Sequence, residues 1–319
     1  MSLASFLKLV EIPTKVASVI PFALGTLYSV YRFGRFNPRN FIILFIALIS
    51  FDMVTTAINN YYDYKKAHKT HGYGYESHNA IVRYNLKEST VLFTIFSLLA
   101  VASVFGFLLF LNTTPVTLLL GALSFAVGIL YSFGPIPISR TPLGEMLSGL
   151  FMGFIIVFIS IYAHVYDMGF VNLAFEGSML GLSFNLKEVL YIFLLSIPTV
   201  NGIANIMLAN NICDIEDDLE NRRYTLPIYV GREKALLIYK ALYYIAYIDL
   251  IILLVLGITP VTTVLTLLTF IPVNRNIRSF YENQSKKDTF ILAVKNFLII
   301  NAVQVLAIGS ALIIQKLFK

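Results

Sequence analysis

The chain has 319 residues, of which 57% are hydrophobic and only 13% charged, and its mean hydropathy is +0.76. That balance excludes an ordinary soluble domain and describes an integral membrane protein. The net charge of +6 does not indicate a nucleic-acid partner, because the basic residues sit in short loops beside apolar runs and not along one stripe. A single cysteine, Cys213, excludes an internal disulfide and a multi-cysteine zinc site.

Taken in chain order, apolar runs long enough for a hydrocarbon core of about 30 Å lie near 16–33, 41–61, 89–111, 114–133, 142–165, 188–212, 234–256, 259–273 and 290–315. Glu11 and Pro13 interrupt the first stretch, so insertion and not a cleaved signal is expected. The runs are continuously apolar, which favours helices over the alternating strands of a barrel. About nine transmembrane helices in an all-α, polytopic fold are therefore expected, with 1–319 as one domain. The run 259–273 is the weakest, being short and holding Pro260 and Pro272. Basic residues concentrate on one side of this topology, which places the amino terminus and the loops 62–88 and 213–233 in the cytoplasm.

The run 41–61 ends in Asn59-Asn60-Tyr61-Tyr62-Asp63, and the run 188–212 ends in Asn210-Asn211-Ile212-Cys213-Asp214. The same Asn-Asn-x-x-Asp signature thus closes the second and the sixth predicted helix, about half the chain apart. Two pseudo-repeated four-helix units plus one helix are the expected architecture, with the site between the halves. A helix cap or a loop salt bridge explains any one of these acids but not the repetition.

On a helix, Asn59, Asn60 and Asp63 share a face, and Asn210, Asp214, Asp218 and Arg222 follow a four-residue spacing. Oxygen ligands without thiolates suit a hard cation. Magnesium in particular is held by one or two carboxylates together with substrate phosphates. Two facing arrays would clamp a diphosphate, and the absence of a P-loop argues against nucleotide hydrolysis.

Other polar residues carry weaker signals. Asp52 continues a stripe through Thr56, Asn59 and Asp63, where it would line an acceptor pocket or accept a proton, or else stay neutral and hydrogen-bonded to a neighbouring helix. The loop 62–88 holds Tyr62, Tyr64, Tyr73, Tyr75 and Tyr84 and the flexible segment His71-Gly72-Tyr73-Gly74, which reads as a lid or as an interfacial aromatic belt. His68, His71 and His78 fit no zinc spacing and read as solvated, and His164 as interfacial. Asp249 is intramembrane and has no evident role.

These clusters resemble the two aspartate-rich motifs of the UbiA-type intramembrane prenyltransferases. The resemblance extends to Tyr131-Ser132-Phe133-Gly134-Pro135, Thr141-Pro142-Leu143-Gly144-Glu145, Asp214-Ile215-Glu216-Asp217-Asp218, Arg223-Tyr224-Thr225-Leu226-Pro227 and Gly231-Arg232. It is nearest to the branch that prenylates 1,4-dihydroxy-2-naphthoate in menaquinone synthesis. It implies a bacterial-type plasma-membrane enzyme that moves a polyprenyl group from its diphosphate to the naphthoate, releasing carbon dioxide and diphosphate and giving demethylmenaquinone.

The resemblance further implies Mg2+ held by Asn59, Asp63, Asp214 and Asp218, with Asp52 among the catalytic residues. Asn60, Asn210, Asn211, Lys65, Lys66, Arg83, Arg140, Arg222 and Arg223 would contact the substrates, and the Tyr131 ring would stabilise an allylic cation. The chain departs from the family at Asn60, where an aspartate is common, at Ala67, where the motif commonly ends in aspartate, and at Arg222, where the naphthoate branch often has glycine. Competing readings are a UbiA-type enzyme with another acceptor, such as 4-hydroxybenzoate, another phenol, haem or a lipid alcohol, and a cation transporter. A transporter would place acids near the bilayer midplane, whereas most acids here lie at the cytoplasmic edge. No partner protein is implied.

Overall fold

The computed structural model describes residues 1–66 and 79–318. Among these, eight helices are long and apolar enough to cross a membrane. They are α1 (Val16–Phe33), α2 (Pro38–Lys66), α3 (Glu88–Leu111), α4 (Pro115–Ser132), α5 (Gly144–Met168), α6 (Leu186–Cys213), α8 (Arg232–Val255) and α10 (Phe290–Leu317). A short helix, α7 (Ile215–Glu220), follows α6, and α9 (Phe270–Glu282) precedes α10. The fold is an all-α, polytopic membrane protein. Long helices are what such a sequence must form, because a bilayer offers no water to the backbone groups.

The run expected at 259–273 forms a composite element. A 3-10 stretch, Val261–Thr269, leads directly into α9. Pro272 accounts for the mixture: its ring has no N–H to give the Leu268 carbonyl and crowds it, so the preceding turns tighten. With 9 and 13 residues, the two parts span about 38 Å at ordinary helical rises. They return the chain to the side of the two motifs, since Lys286, just beyond α9, touches Asp214 at the end of α6.

Close backbone contact sets the position of the second motif. α5 passes through a π-helical stretch at Gly149–Ile155. A Cβ on Gly153 would lie 2.5 Å from Cα of Val200, and one on Gly149 2.7 Å from the Val200 carbonyl oxygen. Only glycine permits that approach. The Thr199 hydroxyl then donates to the Gly153 carbonyl at 3.1 Å, locking α6 against α5. Farther along, Tyr239, Tyr243, Phe280 and Phe297 fill the buried space between α8, α9 and α10.

The connection 166–187 contains a hairpin of β1 (Val171–Glu176) and β2 (Met179–Phe184). The strands are antiparallel, with Val171 opposite Phe184 and Leu173 opposite Leu182. Together with α4 and α5 they wall an apolar cavity of about 250 Å³ at the end away from the motifs. On that same end, Asn185 caps α6 by accepting the Glu188 N–H at 3.3 Å, and Glu188 pairs with Arg32 at 2.7 Å.

Candidate active site

The two signatures adopt the same local geometry. The Asn59 amide donates to Asp63 Oδ2 at 3.3 Å, one turn farther along α2, and the Asn210 amide donates to Asp214 Oδ2 at 3.3 Å at the end of α6. Each pair is one turn apart on a helix, so the amide steadies the carboxylate and leaves oxygens of both side chains pointing the same way. Asn59 and Asp63 are solvent-accessible. The Asn59 carbonyl oxygen also accepts from the Ser132 hydroxyl at 3.1 Å.

The second asparagine of each signature does something else. Asn60 is buried, and its amide donates to the Leu9 carbonyl at 3.2 Å and to Glu11 at 3.3 Å. Asn211, also buried, donates to Glu145 at 2.8 Å. Glu11 precedes the first crossing and Glu145 opens the fifth. In both halves the second asparagine therefore ties a motif helix to a glutamate at the head of an earlier one. Asn60 and Asn211, expected at the substrate, instead hold the scaffold, because their amides are already committed to buried oxygens.

The four-residue spacing of Asn210, Asp214, Asp218 and Arg222 does not continue as one helix. α6 ends at Cys213, and Asp214 links it to α7. Arg222 stands outside any helix with φ of 53°, the left-handed region where glycine is at ease. It is exposed. Asp218 turns inward and is 2% exposed, with Arg223 Nε at 3.3 Å from one oxygen and the Thr225 hydroxyl at 3.1 Å from the other. Burial raises the Asp218 carboxyl above the usual aspartate range, opposed by the Arg223 guanidinium.

Two arginines join the halves. Arg140, at the end of the short 3-10 turn Ile138–Arg140, accepts the Tyr224 N–H on its carbonyl at 3.1 Å. Its side chain lies in the field of both Asp63 and Asp218. Burial and the neighbouring Arg223 charge lower its pKa, while those two carboxylates act the other way. One carboxylate from each motif, Asp63 and Asp218, thus acts electrostatically on Arg140, and Arg223 acts on both of them. The Tyr131 hydroxyl is buried beside this region, 3.6 Å from where a Cβ on Gly144 would sit.

Other expected residues stand apart. Asp52 accepts Lys15 Nζ at 2.6 Å and the Ser18 hydroxyl at 2.5 Å, and Lys15 also donates to Thr56 at 2.7 Å. The carboxylate expected to line an acceptor pocket is spent on an ion pair between the first two crossings. Lys65 pairs with Glu88 of α3 at 2.8 Å, and Arg83 lies over the Tyr84 ring at 5.5 Å. The side chain of Lys66 lies outside the described structure, as do Ala67, His68, His71, Tyr73, Tyr75 and His78, and with them the expected lid. Asp249 is buried, and among the described residues neither of its carboxylate oxygens has a hydrogen-bond partner.

Three residues that bear on the site are given no role from the sequence. Lys15 lies just before the first apolar run and Glu145 near the start of the fifth, and each meets its partner only through the fold. Lys286 lies far along the chain from Asp214, yet its Nζ donates to Asp214 Oδ2 at 2.5 Å and also to Asn210 Oδ1.

The donor set fits a hard divalent cation. Asn59, Asp63, Asn210, Asp214 and Asp218 offer amide and carboxylate oxygens, with no sulfur and no imidazole among them. Among the described residues no three carboxylates, imidazoles or thiolates converge on one point. A cation here would take few protein ligands on each side and the rest from phosphate and water, which is how magnesium is usually bound. The ammonium of Lys286 on Asn210 and Asp214 shows that this oxygen pair accepts positive charge.

The chain is similar to known proteins. Residues 18–299 match the model of the UbiA prenyltransferase family. The chain is 30% identical over 237 residues to a 1,4-dihydroxy-2-naphthoate octaprenyltransferase of Bacillus subtilis (strain 168), covering 73% of this chain and 68% of that protein. Its fold is similar to that of a UbiA homolog from Aeropyrum pernix K1 in its apo form, with a TM-score of 0.66 and 21% identity, over 95% of this chain and 98% of the other. It is similar also to a UbiA homolog from Archaeoglobus fulgidus bound to DMAPP and Mg2+, with a TM-score of 0.64 and 15% identity, over 96% and 98% of the two chains. The chain belongs to the UbiA prenyltransferase family.

Proposed function

We propose that this membrane prenyltransferase, acting as a single domain over 1–319, transfers a polyprenyl group from polyprenyl diphosphate to 1,4-dihydroxy-2-naphthoate, with loss of carbon dioxide and diphosphate. The observation that carries this reading is the pair of matching amide–carboxylate brackets, Asn59–Asp63 and Asn210–Asp214, with Arg140 under the influence of both Asp63 and Asp218. Such a site takes a ligand of several negative charges. The naphthoate acceptor is supported by the Bacillus subtilis relative.

Asn59 and Asp63 on one side, and Asp214 and Asp218 on the other, would hold magnesium. When bound, the ion neutralises charge that builds on the leaving diphosphate. Arg140 and Arg223 hydrogen-bond the diphosphate oxygens and hold the donor with its allylic C–O bond toward the apolar interior. As that bond breaks, the electron pair leaves with the diphosphate and an allylic cation forms at C1. Apolar walls exclude the water that would quench the cation, and the face of Tyr131 stabilises it. The electron-rich naphthoate carbon that bears the carboxylate attacks C1. The bond to the carboxyl carbon then breaks, its electrons return to the ring, and carbon dioxide departs.

The same reading puts the motif side in the cytoplasm of a bacterial-type plasma membrane, as the distribution of basic residues supports. The test is a product assay on purified protein in detergent with magnesium and a polyprenyl diphosphate, offering 1,4-dihydroxy-2-naphthoate and 4-hydroxybenzoate together. A decarboxylated prenyl-naphthoquinol, or the quinone that dissolved oxygen makes from it during work-up, identified by mass, is the expected product. Prenylated hydroxybenzoate as the sole product would overturn the acceptor, and no product from any acceptor would overturn the reaction.

A further inference from the structure

Lys286 holds an oxygen from each residue of the second bracket, Asp214 Oδ2 and Asn210 Oδ1. The first bracket has a neutral neighbour in the corresponding role, the Ser132 hydroxyl on Asn59. We infer that Lys286 is the cation the second motif keeps while no metal is bound, that a divalent ion must displace it, and that the displaced ammonium then contacts the diphosphate. This rests on reading Asn210 and Asp214 as part of the metal-holding bracket.

The lysine is presented by a built loop. The Gln284 amide donates to the carbonyls of Phe280 at 2.8 Å and Tyr281 at 2.7 Å, so the loop stays close to the end of α9. The Ser285 hydroxyl donates to Asp288 at 2.8 Å, and the Thr289 hydroxyl donates to the Asn283 carbonyl at 2.7 Å. Lys286 also lies 5.3 Å from the centre of the Phe290 ring. These contacts aim one ammonium at the second motif.

An ammonium and a divalent ion cannot share these oxygens, because like charges a few ångströms apart repel strongly where water is scarce. Displacement is nevertheless easy. The side chain of Lys286 is 42% exposed against 15% for Asp214, so the pair is only partly desolvated and the ammonium regains hydration when it leaves. A flexible four-carbon stem lets it move while the loop keeps it near. An anion that arrives with the metal meets a cationic donor in addition to Arg140 and Arg223.

The test measures Mn2+ binding to the substrate-free protein by electron paramagnetic resonance, in the wild type, Lys286→Met, Lys286→Gln, Lys286→Arg and Asp214→Asn. Removing the charge should tighten Mn2+ about fivefold, the scale of one partly exposed ion pair, in both Lys286→Met and Lys286→Gln. Lys286→Arg should bind like the wild type, and Asp214→Asn should lose affinity. Inorganic pyrophosphate added with Mn2+ should bind about threefold more weakly to Lys286→Met.

Unchanged or weaker Mn2+ binding in both neutral variants would overturn the displacement, and unchanged pyrophosphate affinity would overturn the contact with diphosphate. A wild type that binds no Mn2+, with or without pyrophosphate, would instead overturn the metal reading of the motif itself. A monodisperse elution profile for each variant shows that it has folded.

Discussion

Asn211 donates its side-chain amide to Glu145 across 2.8 Å, joining the last turn of α6 to the first turn of α5. Asn60 and Glu11 form the corresponding bond at 3.3 Å, so the two motifs match in this hydrogen bond as well as in sequence. Both members of the Asn211–Glu145 bond are buried. Asn211→Ala should therefore cost about 1–3 kcal/mol of stability, read as a lower unfolding temperature in detergent. Its effect on turnover should come through misplacement of the adjacent Asn210. A substrate-contact role would be indicated by unchanged stability together with a raised KM.

The Lys15–Asp52 pair lies 2.6 Å apart with side chains 7% and 11% exposed. Breaking it by Asp52→Asn or Lys15→Met leaves a buried charge without its partner and should destabilise by about 3–5 kcal/mol. Replacing both by apolar residues, Lys15→Met with Asp52→Leu, should restore much of the loss. Thermal unfolding of the two single variants and the double variant measures the coupling. If Asp52 served as the reaction's base, the double variant would be folded and inactive; as an ion-pair partner it leaves a folded, active enzyme.

Arg222 holds φ of 53° between α7 and the following segment. A Cβ in that region costs about 1 kcal/mol relative to glycine. Arg222→Gly should thus raise the unfolding temperature slightly and keep turnover within a few fold of the wild type. A large loss of activity at unchanged stability would show instead that the guanidinium contacts substrate.

Spans and motifs were legible because each rests on a local property. Twenty or so apolar residues must form a helix in a bilayer, and the repeated Asn-Asn-x-x-Asp reports its own i to i+4 bond. What could not be read was pairing between distant segments. Nothing near Asp52 in sequence announces Lys15, and nothing near Asp214 announces Lys286. The two asparagines of each signature are adjacent and chemically identical, yet one brackets the motif carboxylate and the other holds the scaffold. Neighbouring residues on a helix point about 100° apart, and only the packing of the next helix decides which direction is inward. The break at Asp214 was hidden for a similar reason, since a strict four-residue spacing continues through it while Arg222 takes a left-handed turn.

The two brackets should fail together. Asp63→Asn and Asp214→Asn preserve shape and remove one carboxylate each, and each should lower turnover by about 100-fold or more while the protein stays folded, the scale seen when a group facing developing charge is removed. If the brackets hold one metal–diphosphate unit between them, the double variant should lose little beyond either single one, because groups that act as a unit are not additive. Excess chelator should likewise stop the wild type, and magnesium should restore it. Measuring kcat for the wild type, both singles and the double distinguishes the cases. Multiplicative losses would mean that the brackets act on separate ligands, and full activity in either single variant would remove that carboxylate from the mechanism.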